Sequence, residues 1–325
     1  MAVRDALLTL LEQNAGGYLS GEQIARTLGV TRAAVWKAAT ALRARGIAIE
    51  AATNAGYRLA AGADALTAEG IRARLPADCG MLIVETQRCV TSTNTLLRER
   101  AQSGAPEGLV LAASAQTAGR GRRGRSFFSP GDTGLYLSVL LRPSLPAERA
   151  IAVTTMAAVA MSEAIEAVSG AETSVKWVND ILLGGKKVCG ILTEASLDME
   201  GGGIEYAVLG AGVNVYPPAK GFPSDVAAVA GSVLPAKTPG ALDRLAAEYL
   251  GRFFRLYRAG ANDPAAYTEA YRRRSAAVGR RITVLRPDGA REALCTGVDD
   301  RCRLLVTYDD GTSEALSSGE ISIRL

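Results

Sequence analysis

The 325-residue sequence contains no histidine. That absence removes every Ser–His or Cys–His nucleophile, every HExxH zinc site and every imidazole general base. Chemistry in this chain must run on lysine, arginine, carboxylates, backbone amides or a metal-bound phosphate substrate. Cysteine is scarce: Cys79, Cys89, Cys189, Cys295 and Cys302 are odd in number and include no CxxC pair. They read as reduced thiols of a cytoplasmic protein, and they argue against a disulfide framework or a structural zinc site. Long apolar runs are also lacking, since charge or glycine interrupts each one well short of the ~18 residues of a membrane span. The first residues carry Arg4 and Asp5 instead of the apolar stretch of a signal peptide. No internal repeat or low-complexity tract is present. What remains, 48% hydrophobic and 22% charged residues with a net charge of +4, is the composition of a folded protein of two or three domains. So mild a charge does not by itself imply nucleic acid. Its distribution says more: residues 1–60 hold seven basic and four acidic side chains, and one later heptapeptide holds four arginines.

The first sixty residues read as a small helical unit. Val3–Gln13 carries apolar residues at helical spacing and stops near Gly16-Gly17. Ser20 opens a second helix, Gly29 turns the chain, and Thr31 caps a third helix. Ile24, Ala25, Leu28, Gly29, Val30, Val35 and Ala38 supply the small residue, the turn and the apolar angle of a helix-turn-helix over Gly21–Thr40. Ile47–Glu50, a polar turn at Thr53–Gly56 and Tyr57-Arg58-Leu59 suit the hairpin of a winged helix. Thr31, Arg32, Ala33, Trp36, Lys37 and Thr40 fall where a recognition helix meets DNA. A protein-interaction unit with a solvated basic face is the alternative, and Trp36 can pack inward or face a base. Ala60–Leu66 has the composition of a linker. Beyond it, strands at Met81–Thr86, Leu109–Ala115, Gly134–Leu141, Val188–Glu194 and Tyr206–Asn214 alternate with helices at Asn94–Gln102, Ile151–Val168 and Leu242–Arg258. The class expected is α+β, with a largely antiparallel or mixed sheet. From Val278 onward come short strands at Arg281–Leu285, Leu294–Val298, Arg303–Tyr308 and Ile321–Leu325. Turns at Pro287-Asp288-Gly289 and Asp309-Asp310-Gly311 complete a small β-barrel. The expected domains are residues 1–62, 63–277 and 278–325.

The central motif is Gly119-Arg120-Gly121-Arg122-Arg123-Gly124-Arg125. It matches G-x-G-x-x-G, yet Ser126-Phe127-Phe128-Ser129-Pro130 follows where a dinucleotide fold needs a helix. Three glycines and four guanidiniums instead predict a pliable, self-repelling loop that a polyanionic ligand orders. A nonspecific nucleic-acid patch is the blander reading. Ser92-Thr93-Asn94 offers hydroxyls and an amide at a strand-to-helix junction, either as a helix cap or as contacts to a small polar ligand. Lys176-Trp177-Val178-Asn179-Asp180 sets a cation, an amide and a carboxylate beside an apolar strand. Lys186-Lys187 leads into Val188–Glu194, and Gly210-Ala211-Gly212-Val213-Asn214 ends a strand with little bulk, allowing close backbone approach.

In order and spacing, S-T-N at 92–94, Q-T-A-G-R-G-R-R-G-R at 116–125, K-W-x-N-D at 176–180, K-x-x-G-I-L-x-E at 187–194 and G-x-G-x-N at 210–214 resemble biotin–protein ligases. With a helix-turn-helix in front, the whole chain resembles the bifunctional branch of that family, which also represses the biotin operon. The resemblance implies a winged helix-turn-helix, a catalytic domain like class II aminoacyl-tRNA synthetases and a C-terminal SH3-like barrel. It implies biotin and ATP as substrates, with Mg²⁺ held mainly by the ATP phosphates and no protein metal site. Biotinyl-5′-adenylate forms first, and biotin then passes to a lysine of the biotin carboxyl carrier protein of acetyl-CoA carboxylase. Operator DNA, bound by a ligand-linked homodimer, is the second implied partner, and no membrane is involved. Carried over by motif, Lys187, Arg122, Lys176 and Asp180 are the expected catalytic set. Ser92, Thr93, Asn94, Gln116, Gly119, Arg120, Gly121, Arg122, Phe127, Asn179, Lys187, Gly190 and Asn214 are the expected ligand contacts. Biotin's carboxylate is already a nucleophile near neutrality, so its attack on the α-phosphate needs positioning and charge neutralisation, which a histidine-free chain can supply. The acceptor for the carrier amine's proton is either Asp180 or solvent. Two departures stand out: Val178 where many relatives have Pro, and Phe127 where they have Trp. A lipoate or octanoate ligase, and a pure sensor–repressor, are the rival functions.

Overall fold

In the computed structural model, residues 3–323 are described except 15, 45–46, 61–62, 145, 147–149, 198–202, 261–262, 287–288 and 318. The expected Pro287-Asp288 turn and part of the expected linker lie outside the described residues. Helices α1 (Val3–Gln13), α2 (Gly21–Leu28) and α3 (Arg32–Ala44) precede the antiparallel pair β1 (Ile49–Ala52) and β2 (Gly56–Leu59). Ser20 closes a capping box with Gln23, their reciprocal hydrogen bonds being 3.1 and 2.9 Å. Gly29 adopts φ 64°, the left-handed turn that separates the two helices. Thr31 Oγ1 accepts from Ala34 N at 3.2 Å and starts α3. Leu7, Leu11, Ile24, Val35, Leu42 and Leu59 fill one small core. This is the winged helix-turn-helix that the spacing predicts.

The central sheet has seven strands in the order β3 (Ile83–Gln87), β4 (Leu109–Ala113), β5 (Gly134–Leu141), β9 (Ile204–Asn214), β8 (Lys186–Leu197), β7 (Asp180–Leu183) and β6 (Thr173–Lys176). Only β3 and β4 run parallel, so the sheet is mixed. Helices α4 (Ala68–Arg74), α6 (Ala150–Ser169), α7 (Ala241–Gly260) and α8 (Ala265–Arg273) join one large core with it, whereas α5 (Thr93–Gln102) covers part of the other face through Leu97 and Ala101. Strand β5 is buried along its whole length. Leu135, Leu137, Val139 and Leu141 enter the large core, while Tyr136, Ser138 and Leu140 alternate onto the α5 face. Despite Glu163 and Glu166, α6 is long and apolar enough to cross a membrane, but 67% of its apolar window is buried inside the protein, as in the core helix of a water-soluble fold.

The C-terminal unit is a five-stranded antiparallel sheet of order β13 (Ser313–Leu316), β12 (Leu304–Tyr308), β11 (Gly289–Val298), β10 (Arg281–Arg286), β14 (Glu320–Ile323). It is a small β unit as expected, and the pairings found do not extend to an SH3-like barrel. Its apolar residues continue the central core, and Trp177 Nε1 donates across the junction to the Cys302 carbonyl at 3.0 Å.

A buried carboxyl group joins the segment after the wing to the helical layer of the central domain. Thr67 donates its N–H (2.7 Å) and hydroxyl (2.8 Å) to Asp243, at the start of α7. Gly70 lacks a side chain at the same point, where a Cβ would sit 1.8 Å from Asp243 Oδ2. Burial pushes the Asp243 carboxyl up to about 8. Because the folded state holds this proton more tightly than the unfolded chain, Asp243 favours folding most below pH 4 and loses that contribution as pH rises towards 8. Thermal melts across this range should therefore show wild-type stability falling relative to Asp243→Asn as pH rises; parallel curves would refute the assignment.

Candidate active site

The parallel β3–β4 ladder sets up the site by continuing past both strand ends. Val90 N donates to Ala115 O (3.2 Å) and Thr117 N to Val90 O (2.9 Å). Ser92-Thr93-Asn94 is thereby held beside Gln116 at the start of α5, where Ser92 is the N-cap. Gln116 Oε1 accepts from Thr93 N at 2.9 Å, and Gln116 Nε2 donates to Ser129 Oγ at 3.0 Å. Ser138 Oγ, reaching up from β5, lies 2.7 Å from Thr93 Oγ1 and 2.6 Å from Asn94 Oδ1. Asn94 Nδ2 donates to Glu194 Oε2 at 2.9 Å and to the Leu192 carbonyl at 3.3 Å.

The floor is a row of residues paired across four strands. Asp180 on β7 faces Gly190 on β8, Gly190 faces Gly212 on β9, and Gly212 faces Tyr136 on β5. At both glycines the sheet offers bare backbone. A Cβ on Gly212 would stand 2.7 Å from the Phe127 ring, and one on Gly210 would stand 2.0 Å from Asn94 Oδ1. Above this floor is a small concavity, lined among others by Ser92, Thr93, Asn94, Gln116, Arg120 and Phe127. Burial pushes the Tyr136 phenol up to about 12, so it stays a neutral donor, here to the Pro130 carbonyl at 3.2 Å. Burial also raises the Cys189 thiol behind the floor, which makes it unreactive.

The arginine-rich segment takes the form of a hairpin. Phe127 N donates to Gly119 O (2.9 Å) and Gly121 N to Arg125 O (2.7 Å), and Arg123 turns the tip with φ 55°. Self-repulsion is relieved by partners: Arg120 Nη1 meets Glu194 Oε1 at 3.0 Å, and Arg122 donates to Asn179 Oδ1 (3.0 Å) and to the Gly319 carbonyl of the C-terminal sheet (3.1 Å). Gly119 forms the neck, since a Cβ there would lie 2.4 Å from Phe127 O. Lys187 Nζ pairs with Asp180 Oδ1 at 2.7 Å, and a Cβ on Gly190 would lie 3.3 Å from both that amine and the Phe127 ring. The Pro217–Val233 segment runs along Lys187, whose N–H donates to Val229 O at 2.7 Å.

Of the expected residues, Ser92, Thr93, Asn94, Gln116, Arg120, Phe127 and Gly190 border the cavity. Arg122, Asn179, Asp180 and Lys187 form two adjoining polar pairs. Lys176, Gly121 and Asn214 do not line it; Lys176 sits opposite Asp180 across the β6–β7 pair. Sequence reasoning missed Ser138 and Tyr136, and it left Glu194, the last residue of the K-x-x-G-I-L-x-E motif, without a role. Ser138, the one small hydroxyl in the apolar strand Gly134–Leu141, was the signal available. At the other end of the chain, Thr31, Arg32, Ala33, Trp36, Lys37 and Thr40 share one exposed face of α3 and its cap, while Val35, Ala38 and Ala39 are buried. Trp36 is 57% exposed and so faces outward.

A polar-edged pocket on a mixed sheet, roofed by an arginine hairpin and attached to a winged helix-turn-helix, defines a ligand-binding enzyme domain fused to a DNA-binding unit. Known proteins share this layout. Residues 86–214 match the Biotin/lipoate A/B protein ligase family, residues 3–58 an HTH domain and residues 277–324 the Biotin protein ligase C terminal domain. The chain is 37% identical over 231 residues to the Bifunctional ligase/repressor BirA of Bacillus spizizenii, covering 71% of this chain and 70% of that protein. It is 32% identical to the Biotin--[acetyl-CoA-carboxylase] ligase of Mycobacterium tuberculosis, over 71% of this chain and 85% of that one. A biotin protein ligase from Aquifex aeolicus in complex with biotin and ATP shares the fold (TM-score 0.61, 24% identity, 74% of this chain and 98% of that chain). The chain belongs to the biotin protein ligase family.

The close packing of Asn94 over Gly210 yields a stability prediction. Gly210→Ala should cost about 1–3 kcal/mol, the scale of overpacking in a filled site. Urea denaturation measures it, and an unchanged midpoint would show that Asn94 does not rest on that backbone.

Proposed function

We infer that this chain is an ATP-dependent biotin–protein ligase that also acts as a DNA-binding repressor. It joins biotin to ATP as biotinyl-5′-adenylate with release of diphosphate. It then passes biotin to one lysine of the biotin carboxyl carrier protein of acetyl-CoA carboxylase, releasing AMP. The observation that carries this reading is a polar-edged cavity with a charged cluster beside it. Ser92, Thr93, Asn94 and Gln116 offer hydroxyl and amide groups to a small polar head, and the bare glycine floor, on which the Phe127 ring rests here, takes a flat ring system once Phe127 moves aside. Next to Gly190, Lys187, Asp180, Arg122 and Asn179 gather charge suited to a carboxylate meeting an α-phosphate.

The residues divide the work as follows. Asn94 Oδ1 and Thr93 Oγ1 take N–H groups of the ureido head, with Ser138 holding Asn94 from below. Lys187 and Arg122 offset charge as carboxylate and α-phosphate approach, so that positioning replaces a base. Asp180 pairs with the Lys187 amine at 2.7 Å, and the proton of the incoming carrier lysine goes to Asp180 or to solvent. The hairpin shields the mixed anhydride from water until that lysine arrives. Gly119 and Gly121 serve the hairpin's shape, while Lys176 and Asn214 act from outside the cavity. For Mg²⁺ the donor set offers no cage, since no three carboxylate, thiol or imidazole groups converge among the described residues. The ion would enter on the ATP phosphates, adding charge neutralisation there.

Adenylate binding, homodimerisation and operator binding form one linked system in the cytoplasm, and each must then strengthen the others reciprocally. A lipoate ligase is the second reading within the same family pattern, and the match of residues 277–324 to a biotin ligase C-terminal domain favours biotin.

Intact-mass analysis of a carrier domain incubated with the protein and MgATP should give a single biotin adduct with biotin and none with lipoate. The reverse preference would replace biotin as the substrate. For the second activity, biotin plus ATP should tighten operator binding. Lys37→Ala should weaken it for all sequences and lower the salt slope by about one phosphate contact. Ligand-independent affinity in a gel-shift titration would break the linkage.

A further inference from the structure

Glu194 touches both halves of the pocket, and no step above uses it. It lies on β8 opposite Val208, two residues beyond Leu192, whose carbonyl helps hold Asn94. One oxygen, Oε2, accepts from Asn94 Nδ2 at 2.9 Å. The other, Oε1, lies 3.0 Å from Arg120 Nη1 and 3.7 Å from Arg98 Nη1. We propose that Glu194 is a positioning residue that couples the orientation of Asn94 on the floor to closure of the arginine hairpin over the ligand. The proposal rests on the reading of the cavity as the biotinyl-adenylate site.

The first half of the coupling is the amide. Asn94 is buried, and its Nδ2 faces two groups that can only accept, the Glu194 carboxylate and the Leu192 carbonyl. Its Oδ1 takes the proton of Ser138 at 2.6 Å. A flipped amide would set its oxygen against both acceptors, so the orientation is fixed and one Oδ1 lone pair is left for a ligand N–H. The second half is the hairpin. Arg120 stands on its first rungs, between the Phe127–Gly119 and Gly121–Arg125 bonds, and bridges to Ser126. Holding Arg120 therefore holds the base of the ribbon down over the cavity. Both tasks fall to one carboxylate that is 22% exposed.

Glu194→Gln separates them, because the amide still accepts from Asn94 but no longer attracts a guanidinium. Biotin affinity should stay within about 1.5-fold, while biotinyl-adenylate should dissociate about two- to fivefold faster, the range of a partly exposed charge pair. Glu194→Ala should weaken both. Arg120→Gln should speed release as Glu194→Gln does, and the double variant should add nothing further. Stopped-flow release of biotinyl-adenylate, with biotin titration calorimetry alongside, reads all of these. Wild-type release by Glu194→Gln, or fully additive effects of the two substitutions, overturns the coupling. Should Glu194→Gln fail to fold, release from wild type must still quicken with added salt and release from Arg120→Gln must not; equal salt dependence overturns it equally. Wild-type protein that retains no biotinyl-adenylate overturns the site reading instead, and the proposal with it.

Discussion

Much of this site depends on bare backbone in the middle of a buried sheet. Gly190 and Gly212 sit side by side between Asp180 and Tyr136, so a strip of peptide is exposed upward where two side chains would otherwise stand. Phe127 can lie against that strip only because Gly212 has no Cβ, and Asn94 can settle over Gly210 for the same reason. The hairpin's position follows from Phe127 and that of Ser92–Asn94 from the floor. The Lys187–Asp180 pair stands at the edge of the same row.

That arrangement suits chemistry without histidine. A carboxylate attacking a phosphate, and an amine attacking an anhydride, need alignment and charge balance more than proton abstraction. The protein supplies rigidity through the sheet and charge through the hairpin and β8. It keeps those charges from repelling one another by pairing Arg120 with Glu194, Lys187 with Asp180, and Arg122 with Asn179 and a carbonyl of the C-terminal sheet. The C-terminal unit is thus tied to the hairpin, and its shared core with the central sheet makes that tie rigid. At the other end, β9 leads from Asn214 to Tyr216, whose hydroxyl donates to Asp64 in the segment after the wing at 2.5 Å. Burial raises the Asp64 carboxyl to about 6, so it takes up a proton in mildly acid solution and is largely ionised at neutral pH.

Local signals made the helix-turn-helix legible: the Ser20 cap, the Gly29 turn and the alternation of buried and exposed residues along α3 were each readable alone. Strands β4 and β5 were legible as short, nearly uninterrupted apolar runs. The short strands Thr173–Lys176, Asp180–Leu183 and Ser313–Leu316 were missed because four residues carry no period, and they exist through their partners. Motif positions identified most of the pocket, including Gln116 and Phe127, which are distant in sequence from Ser92–Asn94. Ser138 and Glu194 were hidden because their roles come from cross-strand neighbours. The hairpin's charge was visible in the sequence, and its partners Glu194, Asn179 and Gly319 were not.

The central claim is that biotin sits on the glycine floor beside Ser92–Asn94 and Gln116, displacing Phe127 from Gly212. The measurement that tests it most directly is a crystal structure with biotinyl-adenylate bound. The ring system should lie on Gly190 and Gly212 with its ureido group at Asn94 and its phosphate at Lys187 and Arg122. Density for the ligand elsewhere, or Phe127 packed against Gly212 with the pocket empty at saturating ligand, would contradict the account.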